Sequence, residues 1–147
     1  MLTDYIVSSL PSLAFNTPAP ISWKEFTSIA GENCIPACWA DLETQLRNAV
    51  AEARGGECFK RPATGCSLYW KNRILSCFQE KDVAKRDELL DRVFWDAAGE
   101  LTEVTAPLGT GALATYAIRL KIALKRSVIS NEAGNAAFDR LTAETKR

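Results

Sequence analysis

The sequence predicts an all-α protein: a compact bundle of about five or six helices in a single domain spanning residues 1–147. Three observations predict it. Apolar residues recur at three- and four-residue spacing in several successive stretches, the period of a helix with one buried face. Those stretches are bounded by residues that start and stop helices. Strand signals are sparse, with no run of alternating β-branched residues and no Asn-Gly turn between apolar segments. At 147 residues and 47% hydrophobic composition, the chain can bury a core without metal or disulfide staples.

Residues 1–21 form an N-terminal segment and Pro-rich connector. Met1 to Ser9 suits a short helix or an edge strand, and Pro11 stops either one. Pro18 and Pro20 hold Asn16 to Ile21 extended. Ser22, with Glu25 three residues on, fits a capping box, in which two orphan N–H groups are satisfied reciprocally. Trp23, Phe26, Ile29 and Ala30 follow at helical spacing, and Gly31 suits the left-handed residue that closes a helix. Pro36 is well placed to open a second helix. There Trp39, Leu42, Leu46, Ala49 and Ala53 share one face, and Gly55-Gly56 ends it.

Glu57 to Gly65 reads as a loop with Pro62 and Gly65 as breakers. A third helix is expected from Ser67 to about Glu80, with Trp70, Ile74, Cys77 and Phe78 on one side. Asp82 to Glu103 is the strongest helix by content: Leu90, Val93, Phe94, Ala97 and Leu101 keep helical spacing, and Pro107 bars further extension. Gly109-Thr110-Gly111 breaks the chain before a long helix from about Ala112 to Ile129. Leu113, Tyr116, Leu120 and Leu124 make one stripe along it, and Ile118, Ile122 and Ile129 a second. A helix apolar on two sides lies between neighbours. Asn131 caps a final helix through Phe138 and Leu141, and residues 140–147 make a frayed charged tail.

Composition narrows the function. Lys plus Arg and Asp plus Glu both number 18, so there is no cationic surplus to displace counterions from phosphates, and nucleic acid is not an expected partner. Histidine is absent, which removes the commonest general acid/base and metal ligand. No enzyme and no cofactor is expected. Met1 to Leu13 lacks the basic start and long apolar run of a secretory signal, and no stretch approaches a membrane span. A cytoplasmic chain without direct membrane insertion is the expectation.

Candidate chemistry is thin. Cys34, Cys38, Cys58, Cys66 and Cys77 read as reduced, buried thiols. Cys34 and Cys38, four apart, would face one way on a helix, the basis for a thiol or metal reading; the other cysteines lack the paired spacing of a zinc site. Asp87, Glu88, Asp91 and Asp96, interleaved with Lys85, Arg86 and Arg92, read as a solvated helix face. Trp39, Trp70 and Trp95 read as core, although one could anchor a partner. Arg119, Lys121, Lys125 and Arg126 follow one another on the long helix with no acid between them. At 100° per residue, Arg119 and Arg126 flank one edge, and Lys121 and Lys125 the other. They read first as solvated rims and, alternatively, as a docking surface for an acidic protein.

Two stretches carry a resemblance. Tyr5-Ile-Val-Ser-Ser-Leu-Pro-Ser-Leu-Ala-Phe15 and Pro20-Ile-Ser-Trp-Lys-Glu-Phe26 resemble the opening of a bacterial family found beside V/A-type ATPase genes. Ala117-Ile-Arg-Leu-Lys-Ile-Ala-Leu-Lys-Arg126, then Asn131-Glu-Ala-Gly134 and Phe138, are similar to that family's closing helices and to the style of the larger ATPase C subunit. The resemblance implies a non-catalytic helical accessory that couples or bridges stalk and membrane-ring components, peripheral to the inner membrane on its cytoplasmic side. It implies no catalytic residue. The rival expectations are a generic helical protein-binding module and a small thiol or metal protein using Cys34 and Cys38.

Overall fold

The computed structural model of the protein describes residues 2–55 and 67–145, with side chains from Thr3 to Ile129 within them. Among these residues lie six α-helices: α1 (Leu2–Ser9), α2 (Trp23–Ala30), α3 (Ala37–Ala53), α4 (Leu68–Cys77), α5 (Val83–Ala98) and α6 (Thr110–Thr145). A short 3-10 helix, Gly99–Leu101, extends α5. No strand occurs among the described residues, so the fold is all-α as the spacing predicts. The loop expected at 57–65, with Cys58 and Cys66, lies outside them.

Local chemistry explains most helix ends. Ser22 Oγ accepts from the Glu25 N–H at 3.1 Å, and the Gly31 N–H donates to Thr27 O at 2.9 Å with Gly31 at φ +87°. Ser67 and Asp82 cap α4 and α5, each accepting a first-turn N–H. Residues 2–9 are helix and not strand. An eight-residue helix is marginal alone, so α1 depends on laying Ile6 and Val7 against the core.

Two boundaries differ most from expectation. The helix expected to reach Glu103 leaves α geometry after Ala98. Gly99 is a weak helix former, and donors from α6 satisfy carbonyls at this end: Thr115 Oγ1 donates to Ala98 O at 2.8 Å, and Arg119 Nε to Trp95 O at 3.0 Å. The second difference is α6, one helix of 36 residues where a break before Asn131 was expected. Asn131 lies inside α6 and not at a helix start, and the expected tail is helical through Thr145. Ser and Asn cost a helix only about 0.5–0.7 kcal/mol each relative to Ala, too little to stop one that is already propagating.

The two apolar stripes of α6 serve two clusters. Ile118 and Ile122 face one built from Trp39 and Leu46 of α3, Trp70 and Ile74 of α4, and Leu90 and Val93 of α5. Leu113, Tyr116, Leu120 and Leu124 face the other, with Phe26 of α2 at its centre and α1 at its edge. Full burial of a side chain such as Leu120, Phe26 or Ile74 stabilises by about 1.5–3 kcal/mol. Helix α6 is therefore the wall between two cores, as a doubly apolar helix should be. Ile129 departs from its stripe and is 52% exposed.

The connector between α1 and α2 is strapped onto α6. Tyr116 Oη donates to Pro11 O at 2.8 Å, and the Ala19 N–H donates to Ser127 Oγ at 3.3 Å. Helices α3 and α4 pack together, α4 on α5, and α5 on α6. Helix α3 meets α5 only lightly, which leaves a groove between them and α6.

Candidate functional site

The groove consists of a cavity of about 1160 Å³ and a second of about 530 Å³. Arg47, Asp91, Phe94 and Lys125 line both, so the two adjoin. Its floor is apolar: Val50 of α3, Leu90 and Phe94 of α5, and Ile122 of α6. Arg47 reaches across from α3 with its guanidinium 5.7 Å from the Phe94 ring centroid and pairs with Glu43 one turn back at 2.7 Å. Lys121 and Lys125, one turn apart on α6, form the opposite rim.

The best-defined polar feature of the groove is Asp91, only 7% exposed. Lys125 Nζ donates to its Oδ1 at 2.8 Å, and Arg126 Nη1 to its Oδ2 at 3.0 Å. A carboxylate removed from water needs such partners, and charge-assisted bonds to two cations supply them. Asp91 is thus not on the solvated face expected for it. Asp96 is half-buried and takes Arg73 at 2.8 Å and Arg92 at 3.2 Å. A periodicity signal for Asp91 was present: Phe94 and Ala98, three and seven residues on, place it on a buried face of α5.

The four cations singled out on α6 take three different places. Lys125 and Arg126 converge on Asp91, although the helical wheel puts them on opposite edges. Lys121 Nζ lies 4.8 Å from the Trp23 ring centroid. Arg119 turns away from the groove to the end of α5, its guanidinium 5.2 Å from the Trp95 ring centroid. Burial lowers the Arg119 pKa, with Asp96 acting in the opposite direction. All four therefore have contacts within the chain, and of them Lys121 and Lys125 also stand on the groove rim.

Arg126 also ties the connector to the site. Its Nε donates to Asn16 Oδ1 at 3.1 Å, and Asn16 Nδ2 donates to Glu88 Oε1 at 2.7 Å. Asn16 adopts φ +65°, a conformation that Asn tolerates better than most residues. The guanidinium groups of Arg92 and Arg126 each lie 5.2 Å from the ring centroid of Phe15 beside it, which meets Trp95 edge-on at 5.5 Å. Asn16→Gly keeps the backbone but loses the exposed side-chain bonds, and is expected to cost about 1 kcal/mol. Asn16→Ala adds left-handed strain and should cost about 2 kcal/mol or more. Urea unfolding of both variants checks the order; equal losses would show that the backbone conformation contributes nothing.

Cys34 and Cys38 do not share a helical face. Pro36 stands between them, so Cys34 precedes α3 while Cys38 lies in its first turn. Cys38 is exposed and so departs from the expected burial, Cys34 is half-buried and Cys77 is buried. Burial pushes the Cys34 and Cys77 thiols up, which lowers the fraction of reactive thiolate. Of these three cysteines, alkylation at mildly alkaline pH should therefore modify Cys38 first, then Cys34, with Cys77 last. Peptide mapping by mass spectrometry reads the order, and early modification of Cys77 would contradict it. Among the described residues, no group of three or more His, Cys, Asp or Glu side chains could hold a metal ion.

Trp39, Trp70 and Trp95 are buried, and Trp70 Nε1 donates to Glu100 Oε1 at 2.7 Å. They pack the core and are not exposed anchors. Among the described residues, no helix is long and apolar enough to cross a membrane. Comparisons of the chain with protein-family models, curated proteins and solved structures return no match.

Proposed function

We propose that this protein is a non-catalytic helical subunit or accessory of a V/A-type ATPase, bridging stalk and membrane-ring components from the cytoplasmic side. The observation that supports an assembly role is the open groove, with an apolar floor at Phe94 and rims carrying Arg47, Lys121 and Lys125. Such a surface suits adhesion by shape and charge. The choice of partner rests on the resemblance of the stretches 5–26 and 117–138. A generic helical protein-binding module is the second reading, favoured by the same groove without the resemblance.

Affinity purification of the tagged protein from its native cells, followed by mass spectrometry, separates the two. Enrichment of ATPase stalk or ring subunits is the expected result. Recovery of other proteins, with ATPase subunits present in the lysate and missing from the eluate, would overturn the ATPase assignment and favour the generic module.

A further inference from the structure

We propose that the groove between α3, α5 and α6 docks an acidic amphipathic helix of a partner protein, an inference that rests on the assembly role and names the chemistry of its contact. Charge complementarity identifies the occupant. The whole chain has a formal net charge of zero. Among the described residues, the groove is lined by six cations (Arg47, Arg54, Lys85, Lys121, Lys125 and Arg126) against four carboxylates (Glu43, Asp87, Glu88 and Asp91). Three of those carboxylates already have donors: Asp91 has Lys125 and Arg126, Glu43 has Arg47, and Glu88 has Asn16. Lys85 and Lys121 pair with no carboxylate among the described residues. The local surplus is positive, and an acidic occupant neutralises it.

Shape identifies a helix. Three helices wall the groove, and no strand among the described residues offers an edge for an extended peptide. The α3 wall runs from Ala37 to Arg54, about 27 Å, room for roughly five helical turns. Lys121 and Lys125 repeat at one turn on α6, the pitch at which a docked helix presents its own carboxylates. Arg47 covers Phe94 but is held there by an exposed ion pair, its side chain 69% accessible. Such a pair contributes little, so an incoming carboxylate displaces Glu43 at small cost and bares the ring.

The test uses the full chain and two labelled peptides of about 18 residues with leucines at i, i+3, i+4 and i+7. One carries Glu on its flanks and the other Lys at the same positions. Fluorescence anisotropy should show the Glu peptide binding at least about tenfold more tightly than the Lys peptide, and weakening at about 0.5 M salt. Arg47→Glu with Lys121→Glu should reverse the preference, while Ala51→Trp, which fills the groove, should abolish binding of either peptide. Circular dichroism confirms that each variant is folded. Equal binding of both peptides, no binding, or binding that survives Ala51→Trp would overturn the proposal. So would a concentration-dependent dimer that excludes the Glu peptide, which would assign the groove to a second copy of this chain. Peptide failure alongside recovery of ATPase subunits removes the groove and leaves the assembly role standing. Peptide binding with no ATPase subunit recovered does the reverse.

Discussion

Gly111→Ala is expected to destabilise the folded chain by about 3 kcal/mol, a fall in Tm of roughly 10 °C for a chain of this size. Gly111 is the second residue of α6, where that helix crosses the turn following α5. A Cβ there would overlap the Leu101 carbonyl oxygen and stand 3.4 Å from Thr102 Cα. These are backbone atoms, so no change of rotamer relieves the overlap and one of the two segments must move. Moving it strains the hydrogen bonds that join them, in which Thr115 Oγ1 meets Ala98 O at 2.8 Å and Thr102 Oγ1 at 2.8 Å. Helix propensity alone predicts the opposite sign, because alanine in place of glycine stabilises a helix by about 1 kcal/mol. Thermal and urea denaturation therefore decide between close approach and propensity. A variant as stable as the parent would show that α6 and the turn are not in this contact. The Gly109→Ala variant gives the scale, since its Cβ would meet Ala106 at 3.2 Å and needs only a small adjustment.

The sequence exposes those parts of the fold whose causes are local. The cap at Ser22, the closing Gly31 and the two stripes of α6 all depend on residues within a turn or two of one another. The end of α5 does not. Leu101 keeps perfect spacing with Ala97, yet the helix ends at Ala98 because Thr115 and Arg119 of another helix reach its carbonyls. The continuity of α6 through Asn131 turns on a few tenths of a kcal/mol per residue, which a capping signal overstates. The separation of Cys34 from Cys38 was readable in Pro36, which the four-residue spacing obscured. The groove itself is legible only in part. Its basic residues on α6 stand out in the sequence, but its floor exists because α3 packs on α4 and meets α5 only lightly, a fact of tertiary arrangement.

The burial of Asp91 was readable in its spacing but its partners, 34 and 35 residues away, were not, and its removal should have two effects of opposite sign. Asp91→Asn keeps the shape of the side chain but withdraws the charge that holds Lys125 and Arg126 together. Breaking a fully buried pair costs about 3–5 kcal/mol. Here Lys125 is 60% exposed and its share is screened, so about 2–3 kcal/mol is expected. A double-mutant cycle should assign most of the coupling to Arg126, which is only 21% exposed, and less than about 1 kcal/mol to Lys125. High salt should erase the Lys125 share first. Binding moves the other way. Withdrawing one negative charge raises the positive potential of the groove and frees the Lys125 ammonium for an incoming carboxylate, so the Glu peptide should bind several-fold more tightly to Asp91→Asn. Lower stability with higher affinity is an outcome that simple damage to the fold cannot produce. Affinity falling in step with stability would reduce Asp91 to a structural ion pair and remove the groove's charge from the account of binding.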